Sequence, residues 1–166
     1  MGHALVLGAT LTDGVQLMAA TWSEFAAAAP DLAAHARRLF YRTEIGQALL
    51  ATVRGDELPR IHPIYLAVME DRLLAFMNPS PKQADLAADG RFALHNHQDP
   101  AAPDEIQLRG RVRPVNESAT LARFAAAWYF ETTHEYGLFE FLIEHALLGQ
   151  RGPDDWPPKY TTWRSG

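Results

Sequence analysis

The sequence predicts an α+β protein, mainly antiparallel β, in which consecutive strands close into a small barrel flanked by helices. Between residues 47 and 115, short apolar segments follow one another with short connections, which favours antiparallel pairing because parallel strands need long crossovers. Helical patterns enter at two points, and no strand is followed by the G-x-G-x-x-G turn of a dinucleotide-binding fold. At 166 residues, a barrel with inserted helices fits better than a sandwich.

Composition limits the classes of function. A net charge of −5 argues against a nucleic-acid scaffold, and no lysine-rich tract suggests a membrane surface. The absence of cysteine excludes disulfides and thiol chemistry and is compatible with a cytoplasmic location. No apolar run reaches transmembrane length, and the start of the chain lacks the basic region of a signal peptide. We expect an N-terminal extension at 1–17, which could be flexible, and one domain at 18–166.

The helices are predicted from capping residues and apolar spacing. Thr21 and Glu24 form a capping-box pattern ahead of a first helix, and Asp31 is expected to cap a second that ends at Phe40. A third helix is expected from Pro81 to Ala88. Asn116 is expected to cap a fourth that extends to about Phe130.

The strands are predicted from apolar segments between turn signals. Pro63 inside the second strand indicates an edge or a bulge, since proline removes one ladder donor, and Gly110 indicates a bulge in the fifth. The expected strands are 47–54, 60–69, 72–77, 91–97, 105–115, 138–145 and a short last strand at 159–164.

The segment from Asn78 to Gln83 is the most informative one for function. Ser80 suits the N-cap of the third helix, Pro81 its first position, and Gln83 can complete a capping box. A helix N-terminus offers free N–H groups and partial positive charge to an anion. Lys82, one of only two lysines against thirteen arginines, adds a full charge where the helix dipole disfavours a cation. The turn therefore predicts either a phosphate site or an ordinary capped surface helix.

The order of these motifs resembles the flavin-binding split barrel of the pyridoxamine 5'-phosphate oxidase family. Its carriers lie between Gln47 and Val115 and cover somewhat under half the chain. They are the strand RIHPIY at 60–65, the pair at 76–77, the Ser-Pro-Lys turn at 80–82, the segment DGRFAL at 89–94 and the strand end LRGR at 108–111.

The resemblance implies a six-stranded barrel that dimerises with FMN at the dimer interface. In the family's pattern, Arg60 with Ser80, Pro81 and Lys82 would hold the flavin phosphate. The flavin ring would contact the remaining matched positions, which are Pro63, Ile64, Tyr65, Phe76, Met77 and Glu105.

Three departures from the family pattern bear on function. Pro81 stands where the family keeps a second cation, and Glu105 stands where it keeps a glutamine, which would place negative charge near the ring. The family's C-terminal arginine motif is absent apart from a faint echo in Trp163-Arg164. These departures favour the wider family over its namesake activity.

The remaining polar residues leave alternatives open. His62 shares a strand face with Arg60 and could contact a ring or a substrate, which makes it the candidate for a catalytic role that no residue clearly fills. His95 and His97 would share one strand face, but no third ligand is evident, so no metal site is expected. The row of Arg109, Arg111 and Arg113 favours a solvated or dimer-facing strip paired with acids over a direct ligand site.

The leading hypothesis is a homodimeric FMN-dependent oxidoreductase acting on a small molecule. One alternative is the same fold with a deazaflavin or haem, where haem would depend on His62, His95 or His97. The other is a cofactor-free dimer that has kept the barrel and lost the site.

Overall fold

The computed structural model describes residues 18–166, so the expected extension at 1–17 lies outside the described residues. Within this range the chain forms four helices and seven strands. In chain order they are α1 (Trp22–Ala28), α2 (Pro30–Phe40), β1 (Gly46–Thr52), β2 (Arg60–Met69), β3 (Arg72–Met77), α3 (Pro81–Ala88), β4 (Arg91–His95), β5 (Glu105–Pro114), α4 (Ser118–Ala126), β6 (Gly137–Gln150) and β7 (Lys159–Arg164).

The strands form one antiparallel sheet that closes into a six-stranded barrel. Its order is β3-β2-β1-β4-β5-β6, and β3 pairs back onto the first residues of β6 from Leu74↔Glu140 to Met77↔Gly137. The seventh strand, β7, pairs with the second half of β6, His145–Gln150. The predicted α+β barrel is confirmed, and β6 is longer than expected because it serves two neighbours along one edge.

The core fills the barrel and extends beneath the first two helices. Phe25 and Phe40 from these helices pack with Leu50, Leu94 and Phe141 from the strands, and all are almost completely buried. A second apolar cluster joins α4 to the other end of the barrel through Phe76, Phe124 and Trp128. Burial of this apolar surface is the main force that fixes the helices against the sheet.

The predicted N-cap is confirmed for α1 and wrong for α2 and α4. The α1 capping box is present, with Thr21 and Glu24 bonded reciprocally. Asp31, however, lies in the first turn of α2, whose N-cap is Ala29 without a side-chain bond, because Pro30 already begins the helix. Likewise Glu117, not Asn116, is the N-cap of α4.

The fourth helix is also shorter than predicted. It ends at Ala126, although Ala127–Phe130 continues the apolar pattern. The aromatic side chains beyond it pack against one another and the sheet: the rings of Trp128 and Phe76 lie 5.2 Å apart and those of Phe130 and Tyr65 5.9 Å apart. Tertiary packing thus ends the helix where local periodicity does not.

Pro63 lies where β2 has one open side, as predicted. β1 pairs along the whole of Arg60–Leu66, whereas β3 pairs only with Ala67–Met69. The first half of β2 is therefore an edge that tolerates a missing ladder donor. This edge faces the region where the candidate site lies.

Candidate functional site

A buried carboxylate organises the cationic residues around α3. Asp85 is completely buried. Arg60 Nη1 donates to both of its oxygens at 3.0 and 2.8 Å, Arg54 Nε donates to Oδ1 at 3.1 Å and Thr52 Oγ1 donates to Oδ2 at 2.9 Å. Burial opposes ionisation of this carboxyl, but the hydrogen bonds from Arg60 and Thr52 and the charges of Arg60 and Arg54 outweigh it, so its pKa is lowered. Asp85 therefore stays ionised and holds two arginines in place.

Arg60, predicted as a phosphate ligand, is thus largely occupied by acids. Besides Asp85, its Nη2 donates to Glu57 at 3.1 Å. Glu57 is an exposed partner in a turn, and exposed ion pairs of this kind contribute little. An arriving anion could compete with Glu57 for Arg60, whereas Asp85 would keep its share.

His62 and Lys82 complete this cluster. Nε2 of His62 is buried and has no hydrogen-bond partner among the described residues. Burial, the charge of Lys82 and that of Arg60 lower the pKa of His62, while the charge of Asp85 opposes them. The imidazole is therefore neutral near pH 7, with a buried polar atom that lacks a partner and normally has one in a folded protein.

The turn before α3 has the predicted cap but not the predicted capping box. Gln83 N donates to Ser80 Oγ at 3.5 Å, Pro81 is the first helical residue and Lys82 Nζ donates to Asn78 Oδ1 at 3.1 Å. The Gln83 side chain instead donates to the carbonyls of Met77 at 3.0 Å and Glu135 at 2.9 Å. It fixes the turn to β3 and to the loop before β6.

Three of the predicted ring-site residues line one cavity. Pro63, Ile64 and Tyr65 surround a volume of about 300 Å³ together with Gln47 and His97, which were not predicted for this site. The alternation of β2 places Arg60 and His62 on the side of α3, and Pro63 and Tyr65 on the outer face. A ligand that touched both sets would have to pass over the open edge of β2.

The other predicted ring residues lie elsewhere in the chain. The side chains of Phe76 and Met77 are buried in the two core clusters. Glu105 begins β5, and its Oε2 lies 3.5 Å from His95 Nε2. Since β5 is separated from β2 by three strand spacings, about 14 Å in all, the structure does not bring Glu105 together with the β2 residues.

The histidine and arginine patterns resolve into separate contacts. β4 ends at His95, so His97 lies beyond the strand, and no cluster of three or more His, Cys, Asp or Glu side chains suited to a metal is found within residues 18–166. In the arginine row, Arg113 contacts Glu140 at 2.6 Å and Arg111 lies 3.5 Å from Glu144, as expected of a strip paired with acids. Arg109 differs, because it donates to His145.

Asp85 and Arg54 are two further site residues that the sequence did not reveal. Asp85 precedes the buried Leu86 in a short helix whose pattern also fits an exposed acid. The available signal was indirect: the two arginines that flank the turn between β1 and β2, Arg54 and Arg60, both need a carboxylate, and sequence spacing does not show which one they share.

Comparisons with known proteins identify the fold. No protein-family model matches this sequence, and no curated protein matches it. Group A Streptococcus HupZ has a TM-score of 0.59 and 15% identity over 72% of this chain and 94% of that one. A heme binding protein from Mycobacterium smegmatis has a TM-score of 0.56 and 15% identity, covering 78% of this chain but 57% of its own length.

A third solved structure carries the name of the family that the sequence resembles. It is a putative pyridoxamine 5'-phosphate oxidase from Listeria innocua, with a TM-score of 0.53 and 12% identity over 66% of this chain and 91% of that one. At such identities the likeness shows the fold alone. The chain has the split-barrel fold of these proteins, which confirms the resemblance at that level.

No helix within residues 18–166 is long and apolar enough to cross a bilayer.

Proposed function

We propose that this protein is a split-barrel flavoprotein that binds FMN and acts as an FMN-dependent oxidoreductase on a small substrate. The observation that carries the proposal is the buried Nε2 of His62, which has no hydrogen-bond partner within residues 18–166 and lies beside Lys82 and the Arg60–Asp85 pair. A buried polar atom without a partner is uncommon, and a bound ligand is one way in which the partner would be supplied. The residues present therefore fit a group that is anionic at one end and planar at the other.

The phosphate end would be held where α3 begins. Three cations, Arg54, Arg60 and Lys82, stand against the carboxylates of Asp85 and Glu57, which leaves the cluster net positive. Lys82 has only the neutral Asn78 amide as its hydrogen-bond partner within the described residues, so its charge is available to a phosphate. Pro81 removes the second cation of the family pattern, and Arg54 on the adjoining strand end partly replaces it.

The planar end would lie along the open edge of β2. The cavity beside Pro63 and Tyr65 offers apolar and aromatic surface, which suits a flavin ring and excludes water from it. FMN, when bound, supplies hydride or electron transfer, while the protein supplies position and electrostatics. His62, neutral at pH 7, would offer one donor and one acceptor nitrogen to the ring or the substrate.

The first test is a visible spectrum of the purified protein, with and without added FMN. Bound flavin would give its own absorption bands, whereas haem would give a Soret band and a deazaflavin a distinct band. Colourless protein that also gives no heat of FMN binding in calorimetry would refute the proposal and favour the cofactor-free alternative.

The second test uses the two lysines of the chain as a matched pair. Lys82→Glu places a carboxylate at the proposed phosphate position, and loss of one charge-assisted contact of about 1.5–3 kcal/mol corresponds to a drop in FMN affinity of roughly 10-fold to 100-fold. Lys159→Glu makes the same charge change on β7 and should leave the affinity unchanged. Equal FMN affinities in the two variants would show that the phosphate does not bind at the start of α3.

We also propose that the protein is a homodimer whose cofactor site lies at the interface. On the outer face of the sheet, Ile61, Ala51 and Ala93 stand in register across β2, β1 and β4, with Leu49 and Pro63 in the next row. Ile61 is 70% exposed, and an apolar row here would suit contact with a second copy of the chain.

Replacing Ile61 with glutamate tests the dimer. Ile61→Glu should convert the protein to monomers in sedimentation or light-scattering measurements, and FMN affinity should fall with it. Leu58→Glu is the matched control, because Leu58 is even more exposed, at 85%, but lies in the turn before β2. A wild-type protein that is monomeric at every concentration measured would refute this part of the proposal.

A further inference from the structure

A second cationic cavity lies on the outer face of β5, β6 and β7, away from α3. Arg109 of β5 is opposite His145 of β6, which is opposite Arg164 of β7. The three side chains and Glu144 line a cavity of about 310 Å³. Because neighbouring strands lie about 4.8 Å apart, the two guanidinium groups flank the imidazole from both sides.

A β-bulge builds this arrangement. Arg109 pairs with His145 but Gly110 pairs with Ile143, so Glu144 is an extra residue in β6. The bulge interrupts the alternation of the strand and turns the side chains of Glu144 and His145 to the same side. Gly110 makes the bulge possible, since a Cβ there would lie 2.0 Å from the Leu142 carbonyl oxygen.

The hydrogen bonds define which groups of the cavity can donate. Arg109 Nη2 lies 3.0 Å from His145 Nδ1, and because a guanidinium only donates, Nδ1 must accept and Nε2 carries the proton. Neither Arg109 nor Arg164 forms an ion pair with any carboxylate in residues 18–166, and Glu144 lies 3.5 Å from Arg111. The cavity thus has one neutral imidazole N–H and two arginines that form no ion pair with the acids of the described part of the chain.

We infer that this cavity binds a small dianion of the phosphate type, carried by a ligand or free in solution. Arginine forks match the geometry of phosphate oxygens, and two of them on either side of a histidine N–H leave the site short of negative charge. Glu144 is the one opposing carboxylate, and it is drawn toward Arg111. This inference is independent of the FMN proposal, because it uses none of the residues around α3.

Calorimetry with inorganic phosphate and with sulfate tests the site. Arg109→Gln and Arg164→Gln should each weaken binding by about tenfold or more, in line with the loss of one charged hydrogen bond. Lys159→Gln removes one positive charge at the far end of β7 and is the matched control, for which binding should change less than twofold. Equal weakening in all three variants, or no binding to wild type, would overturn the inference.

The Lys82→Glu variant separates this site from the one at α3. Phosphate and sulfate binding should persist in that variant even if FMN binding is lost. If Lys82→Glu abolishes sulfate binding as well, the anion belongs to α3 and the inference fails.

The titration of His145 separates anion binding in the cavity from a general effect of removing positive charge. Burial and the charges of Arg109 and Arg164 lower the pKa of His145. The charged groups that face it are Arg109 from β5, Arg164 from β7 and Glu144 from its own strand. A bound dianion would raise the pKa of His145, so sulfate should bind more tightly at pH 6 than at pH 8, and the His145 signal in NMR should move with sulfate. An unchanged His145 titration would contradict the inference.

Discussion

Replacing Asp85 with the isosteric but uncharged asparagine should lower the free energy of unfolding more than most single substitutions do. Asp85→Asn keeps the shape but loses the negative charge that accepts from Thr52, Arg54 and Arg60. Breaking a fully buried ion pair costs about 3–5 kcal/mol because one charge is left without compensation. Here Arg54 and Arg60 are 41% and 39% exposed and can recover part of their hydration, so we expect a loss of about 2–3 kcal/mol.

Urea denaturation at pH 7, followed by far-ultraviolet circular dichroism, measures this loss. In a thermal melt of a domain of this size, the same loss of stability should lower the melting temperature by roughly 5–10 °C. The control is Glu57→Gln, which removes the exposed partner of Arg60 and should change stability by less than about 0.5 kcal/mol. If Asp85→Asn proved as stable as Glu57→Gln, Asp85 would not be the anchor of the cluster.

The pH dependence of this difference follows from the direction of the pKa shift. The folded-state pKa of Asp85 is lowered, so the unfolded state binds the proton more readily and the stabilisation is complete above the unfolded value of about 3.9. It is lost as the pH falls below that value through the folded pKa. The gap between wild type and Asp85→Asn should therefore be constant from pH 5 to 7 and close in acid. A gap that instead widened in acid would show that the sign of the shift is wrong.

Two further predictions concern the scaffold. Gly110→Ala should destabilise the protein by about 2–3 kcal/mol, because the new Cβ would lie 2.0 Å from the Leu142 carbonyl oxygen. Gly55→Ala is the control: this position has open space but a φ of +56°, and the change should cost about 1 kcal/mol. Equal effects of the two changes in thermal melts would contradict the steric argument. Tyr129→Phe should cost about 1–3 kcal/mol, since its hydroxyl donates to the Leu66 carbonyl at 2.9 Å and accepts from Gly46 N–H at 3.2 Å. Burial and the Tyr41 hydroxyl raise the pKa of Tyr129 to about 12, so a tyrosine that ionises near pH 10 in ultraviolet titration and disappears in Tyr129→Phe would contradict that environment.

Local signals predicted the strands and α3 well where turn residues bound them. β2, β3, α3 and β7 have the expected limits, because Pro59, Glu70-Asp71 and Ser80-Pro81 leave little freedom in where those elements start and stop. Glu70 and Asp71 both have positive φ, as a tight hairpin turn requires. Where no such residue stood, as after Ala126 or beyond His145, packing set the boundary and the prediction missed it.

The site was less predictable, because its chemistry depends on pairs that are distant in sequence. Position in the motif marked Arg60 and Lys82 as cations near one turn, and the structure does bring them toward His62. Nothing local indicated that Asp85 would accept hydrogen bonds from Arg60, since the same helix pattern fits an exposed acid. Periodicity predicts which face a residue occupies but not which partner it finds there.

Arg60 and Lys82 have different roles in the structure, although the family motif predicts that both hold the phosphate. Arg60 is bound to the buried carboxylate of Asp85, so its charge already stabilises the fold. Lys82 has a neutral hydrogen-bond partner within residues 18–166, and its charge lowers the pKa of His62. The affinity for an anion should therefore depend mainly on Lys82. Arg60 and Asp85 hold α3 against β1 and β2, which keeps Lys82 close to His62. Arg60→Gln should then lower stability and FMN affinity together, whereas Lys82→Gln should lower affinity with stability unchanged.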